Sequence, residues 1–216
     1  MILLDNEPLA IPKFISAQKL LEDKFVLEFS NNSHINKKTR KRTTIELTIG
    51  EIACFVKPHT DFVCDTIVRG ILPKRHNGLA SLTVYVLVTD NKFDFYNITE
   101  IADKKYKILD RALKNIIVQR VFTIYQLAHF LIIDLEKDLE KYKSKLLVIT
   151  GDFFLSDSQI TKEDKDWLYP QMIKAIKKVK DSIILVFSPT TLSNLVNYEW
   201  GKERMNRYLD SKYYQI

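Results

Sequence analysis

Glycine is scarce in this chain, with five in 216 residues and none between Glu51 and Arg69. That scarcity bears on the stretch GEIACFVKPHTDFVCDTIVR, residues 50–69. Its apolar run Ile52 to Val56 predicts a buried strand, broken by Lys57-Pro58-His59-Thr60. Asp61 is placed to cap a helix in which Phe62, Val63, Thr66, Ile67 and Ile71 recur at helical spacing. In an α/β protein a strand, turn and helix here usually cradle phosphate, with glycines letting backbone N–H groups converge. Lys57 is present, but Pro58 removes one N–H, so the turn has the position of a nucleotide loop without its chemistry.

Other absences narrow the class. Only two cysteines occur, Cys54 and Cys64, both in core-like surroundings, which points to a reducing cytoplasm and excludes a disulfide framework. No stretch resembles a signal peptide, and no apolar run approaches the roughly 20 residues of a membrane helix, so neither export nor a membrane partner is expected. Internal repeats and low-complexity segments are absent. What is there is 46% hydrophobic content, enough for one core in one domain, and a net charge of +6, which permits a nucleic-acid partner without requiring one.

In chain order, a proline-containing tail (1–13) leads to Phe14-Ile15-Ser16-Ala17, a short helical pattern at 18–23 and a strand at 25–29. A polar stretch from Asn31 to Thr44 contains five cations in six residues, Lys37, Lys38, Arg40, Lys41 and Arg42. It reads as a boundary between an N-terminal arm (1–43) and a core (44–216). Strands and helices then alternate: one strand or a broken pair over 45–56, a helix over 61–72, a strand over 82–89, partial helix over 98–113 and a strand over 115–121. A long helix over 124–142, a strand over 145–149, a helical stripe Trp167 to Val179 with Pro170 near its start, a strand over 182–187 and a terminal helix over 192–209 follow. This alternation predicts an α/β fold with a mainly parallel sheet covered on both faces.

Several of these stretches, in this order, resemble the RecA/RadA-type recombinase family, especially its archaeal and eukaryotic branch. Leu72-Pro73, Asn77-Gly78-Leu79 and Thr89-Asp90-Asn91-Lys92-Phe93 resemble its second core strand and T-E-x-T-F turn. Leu113 to Arg120 and Gln126 resemble its D-N-I-x-V-x-R strand and following glutamine, Lys145 to Ile149 its Walker B strand, and Ile183 to Ser188 the strand ending in T-N-Q. Phe14 to Ala17 resembles its F-x-T-A motif. The similarity spans roughly residues 14 to 190. It implies a RecA-like three-layer core, truncated at its C-terminus, with Lys57, Thr60, Asp90 and Thr150 as a vestigial nucleotide site.

The departures from that pattern carry the functional expectation. The cradle turn is about three residues shorter than the family's and lacks its Gly-Lys-Thr ending. Asp90 stands in place of the catalytic glutamate, Thr150 in place of the Walker B aspartate with Asp152 close by, and Ser188-Pro189 in place of the Thr-Asn pair. The first DNA loop would fall within Leu155 to Asp166, which is acidic and has no arginine, and the second loop has no counterpart. Four altered parts together read as a fold that has given up hydrolysis, with no cofactor.

Each candidate site has a plainer reading beside it. Phe14 and Ala17 either anchor the chain to a partner subunit, as the resemblance implies, or pack on its own core. The run from Lys37 to Arg42 either contacts phosphate backbone or is a solvated loop, and no aromatic interleaves it for base stacking. Cys54, His59 and Cys64 lack the close pairing of a zinc site and read as two buried cysteines flanking a turn. Asp90, Asp94, Asp152 and Asp157 match a magnesium nuclease cluster only loosely. Trp167, Tyr169 and the tyrosines at 208, 213 and 214 read as packing residues. The expectation is a non-catalytic recombinase paralogue, an accessory, mediator or regulator of a RecA/RadA-type recombinase. It would dock through Phe14 and Ala17 and contact DNA through the basic run. The alternative is an enzyme with an unorthodox site, a weak ATPase or a metal-dependent nuclease.

Overall fold

The computed structural model describes residues 24–30, 42–90, 93–151, 160–188 and 212–215. Phe14, Ala17, Lys37, Lys38, Arg40, Lys41, Asp152, Asp157 and the helix expected over 192–209 lie outside the described residues, and Arg42 is described in its backbone alone.

Two strands open the described chain, β1 (Lys24–Ser30) and β2 (Arg42–Thr48), paired antiparallel from Lys24↔Thr48 to Ser30↔Arg42. Phe25, Leu27, Ile45 and Leu47 alternate inward and are buried, which is the period-two pattern of a half-buried hairpin. The run from Ile45 is therefore a broken pair: at Gly50 (φ 88°) the chain turns, its N–H donates to the Ser182 carbonyl (3.1 Å), and β3 (Ile52–Val56) begins.

The expected arm boundary at residue 43 falls inside β2, and the structure corrects it. Phe25 and Leu27 pack into the same cluster as the central sheet. Arg69, nine-tenths buried, donates to the Val26 carbonyl (2.5 Å) and the Asn77 carbonyl (2.6 Å), with its guanidinium 5.6 Å from the Phe25 ring centre. Residues 24–30 thus belong to the core.

After β3 come α1 (Thr60–Ile71), a 3-10 turn (Lys74–His76), β4 (Thr83–Val88), α2 (Phe95–Glu100), a π-helical turn (Ile101–Lys105), α3 (Leu109–Asn115) and β5 (Ile116–Arg120). Then follow α4 (Ile124–His129), a π-helical turn (Phe130–Asp134), α5 (Leu135–Tyr142), β6 (Ser144–Thr150), α6 (Lys162–Lys178), β7 (Ile183–Ser188) and β8 (Lys212–Gln215). Six strands form one sheet in the order β5-β4-β6-β7-β3-β8, and every pairing in it is parallel.

Alternate residues of β3, β4, β6 and β7 feed two cores. Ala53, Phe55, Val84, Val86, Leu146, Val148, Ile183 and Leu185 join α1, α2, α3 and the hairpin; Ile52, Cys54, Tyr85, Leu87, Leu147, Ile149 and Ile184 join α4, α5 and α6. Helices on both faces of a parallel sheet make a RecA-like three-layer α/β core. Among the described residues no helix is long and apolar enough to cross a membrane.

Two further expectations are corrected. Pro170 sits well inside α6, not near its start, because the helix begins five residues before Trp167, where Thr161 Oγ1 accepts from the Asp164 N–H (3.1 Å). Trp167 is 65% exposed, whereas Leu168, Tyr169, Met172, Ile173 and Ile176 face the core. The last described element is a strand, β8, which adds to β3 as a parallel neighbour.

Candidate functional site

In open α/β sheets ligands bind outside the carboxyl ends of the strands, where adjacent connections leave toward opposite faces. Here β4 leads to α2 on one face and its neighbour β6 leads to α6 on the other, so the crevice lies between Asp90 and Gly151. Two strands away from β6, β3 runs into α1 through Lys57, Pro58 and His59.

That turn is closed by its own chain. Lys57 adopts a left-handed backbone (φ 52°) and its side chain is exposed. His59, not Asp61, is the cap: its Nδ1 accepts from the Asp61 N–H (3.3 Å) and its carbonyl accepts from the N–H groups of Phe62 (3.0 Å) and Val63 (3.2 Å). Asp61 falls in the first turn of α1, where a carboxylate complements the positive end of the helix dipole. Its Oδ1 also accepts from Asn97 Nδ2 (2.8 Å), which ties the start of α1 to α2. A phosphate arriving here meets a carboxylate and finds two of the helix's free N–H groups, those of Asp61 and Phe62, already bonded, while that of Val63 makes the first regular helical bond.

Aromatic packing fills the layer beneath. The ring centres of Phe55 and Phe187 are 5.2 Å apart, and Phe62 lies 5.4 Å from Phe55 and 6.0 Å from Phe187. The local field is negative as well. Burial, followed by the charges of Asp94, Asp61 and Asp65, pushes the Cys64 thiol up to about 12, so it stays protonated and unreactive. Asp65 accepts from Lys105 Nζ (2.6 Å) and the Tyr106 hydroxyl (2.8 Å), and Asp94 caps α2 through the Asn97 N–H (3.0 Å).

At the crevice the Thr150 carbonyl accepts from both the N–H (2.9 Å) and the hydroxyl (3.0 Å) of Thr89. Thr150 itself is 7% exposed, and its Oγ1 has no hydrogen-bond partner among the described residues. Gly151 (φ 96°) follows; a Cβ there would stand 2.8 Å from Asp90 Cγ and 2.8 Å from Thr89 Oγ1. Only glycine lets Asp90 lie this close to the β6 backbone.

Of the four vestigial-site residues, then, Asp90 and Thr150 are brought together across Gly151. Lys57 and Thr60 stand beyond β7, roughly 10 Å away at ordinary strand spacing. Gln126 has a capping role: Thr123 Oγ1 accepts from its N–H (3.2 Å), and its Oε1 accepts from the Phe122 N–H (2.8 Å). Cys54 and Cys64 belong to cores on opposite faces of the sheet, which rules out their sharing a metal. Among the described residues no group of three or more His, Cys, Asp or Glu is arranged to hold a metal ion. Sequence reasoning missed the His59 cap; its signal was a side-chain acceptor two residues before Asp61.

No family model matches the chain, and no curated protein matches it. The likeness to the RecA/RadA-type family thus rests on motif order and fold class.

Proposed function

We propose that this chain is a non-catalytic, RecA-like accessory protein that assists or regulates a RecA/RadA-type recombinase in DNA recombination and repair. The observation that carries this reading is the sealed start of α1. Pro58 withholds one N–H, His59 takes up the otherwise free N–H groups of Asp61 and Phe62, and Asp61 supplies the negative charge that a bound phosphate would supply. A RecA-like sheet with this end sealed keeps a shape that can dock on related subunits while offering no nucleotide pocket in return. Docking is assigned to Phe14 and Ala17, and contact with DNA to the basic run Lys37, Lys38, Arg40, Lys41 and Arg42. Lys57, Thr60, Asp90 and Thr150 are remnants under this reading.

The test is a pull-down from the source cell paired with an ATPase assay on the purified chain. Co-purification of a full-length recombinase without ATP turnover is the expected result. Magnesium-dependent turnover that Asp90→Ala abolishes would overturn the reading and favour an enzyme with an unorthodox site.

A further inference from the structure

We propose that the amino-terminal edge of the central sheet, opposite the sealed turn, is a groove that binds the phosphate backbone of a nucleic acid. A cavity of about 670 Å³ opens there between the ends of α5 and α6 and the starts of β6 and β7. Leu139 and Val179 line it, and four lysines surround it in two Lys-x-Lys pairs, Lys143 with Lys145 and Lys178 with Lys180. All four are exposed, and none of their ammonium groups has an ion-pair or hydrogen-bond partner among the described residues.

A plainer account exists for half of them. Lysines at helix C-termini complement the negative end of the dipole, and Lys143 (the left-handed cap of α5) and Lys178 (the last residue of α6) stand there. Lys145 and Lys180 do not: each lies two residues further on, outside its helix.

The four lysines are also held on a rigid base. Ser81, Thr83, Ser144 and Ser182 are buried beneath them and stitch three strand starts together. Ser182 Oγ donates to the Ser144 carbonyl (2.6 Å), Ser144 Oγ reaches the Thr83 carbonyl (3.1 Å), and the Lys145 N–H donates to Ser81 Oγ (2.8 Å). Thr83 Oγ1 donates to the Tyr142 carbonyl (2.8 Å), which fixes the end of α5. A satisfied buried network of this kind fixes the backbone at the strand starts from which Lys145 and Lys180 project.

Glu136, Glu140 and Asp181 also line the groove, leaving the lining one charge positive. They temper affinity, and the acids on α5 lie on the groove's helical wall. Nothing here depends on the recombinase reading, which is tested by partner capture and ATP turnover.

The experiment is fluorescence anisotropy of a labelled single-stranded oligonucleotide over a salt series, with thermal melts to verify folding. Replacing Lys143, Lys145, Lys178 and Lys180 by Ala should weaken binding at least about tenfold and lower the slope of log K against log salt by up to about 2.8, at about 0.7 per phosphate. Should that variant melt early, Lys145→Ala with Lys180→Ala spares both helix ends and should lower the slope by about 1.4. Glu136→Gln with Glu140→Gln should tighten binding severalfold. The same losses must recur in a chain whose basic run at 37–42 is already neutralised. An unchanged affinity and slope in the folded lysine variants would overturn the proposal. So would displacement of the oligonucleotide by polyglutamate of equal charge at equal concentration, which would assign the groove to an acidic protein.

Discussion

Replacing Thr150 by Val should stabilise this protein. The Thr150 hydroxyl is buried at the end of β6 with no partner among the described residues, and an unsatisfied buried hydroxyl costs about 1–3 kcal/mol. Valine has nearly the same shape and suits a strand, so it removes that cost without opening a cavity. The Thr150 carbonyl, which takes two hydrogen bonds from Thr89, is untouched by the change. A net gain of about 1 kcal/mol follows, or a rise of about 2–4 °C in Tm for a chain of this length. Thr89→Val is the control. It removes a donor to the same carbonyl and should cost about 0.5–1.5 kcal/mol. Both are read by calorimetry and by denaturant midpoint, with and without magnesium-ATP, which should shift neither variant. A loss of stability in Thr150→Val would refute the reasoning. It would mean the hydroxyl is hydrogen-bonded in solution and the crevice is hydrated, as a working site would be.

Three further outcomes follow from the same observations. Cys64 holds its proton in the fold up to about 12, above its ordinary value near 9, so its contribution to stability is full below about pH 9 and is lost as pH rises toward 12. Cys64→Ala should flatten that alkaline decline, native protein should resist thiol reagents at pH 8, and rapid labelling would contradict the burial. Alanine at Lys38, Arg40, Lys41 and Arg42 should weaken DNA binding and flatten its salt dependence, and an unchanged slope would show that the run is merely solvated. Burying a Phe ring is worth about 2–3 kcal/mol, so Phe14→Ala should weaken recombinase association by tens of fold with Tm nearly unchanged. A sharp fall in Tm with binding intact would make Phe14 a core residue.

The sheet was legible because its strands are short continuous apolar runs. Ile52 to Phe55, Thr83 to Val88, Leu146 to Ile149 and Ile183 to Phe187 are buried on both faces, and runs of that length between helical patterns admit few other readings. The break at Gly50 was half legible, since a glycine in a long β-rich run marks either a bulge or a turn. Caps were harder. His59 and Asp61 both offer acceptors before an apolar helix, and only the backbone shows which residue precedes the first helical one. The bond from Arg69 to the Val26 carbonyl, 43 residues away, has no local signal, and without it the hairpin reads as a detachable arm. The lysine groove was invisible for the same reason: its two Lys-x-Lys pairs are 35 positions apart and meet only because β6 and β7 are neighbours.

The two ends of the sheet differ in charge, and that difference decides where an anion can go. At the carboxyl end Asp61, Asp65 and Asp94 surround the start of α1 and drive the Cys64 thiol upward. At the amino end four lysines stand without partners among the described residues. Converting the carboxyl end to a phosphate site would take more than one substitution. Asp61→Gly removes a charge but leaves the Phe62 N–H bonded to the His59 carbonyl and the Pro58 nitrogen without its hydrogen. His59→Gly releases the Asp61 N–H alone and keeps the carboxylate in the anion's place. Each change fails for a reason the other does not cure. A single revertant should therefore gain no measurable ATP affinity, and the loss of the phosphate cradle is a property of the whole turn.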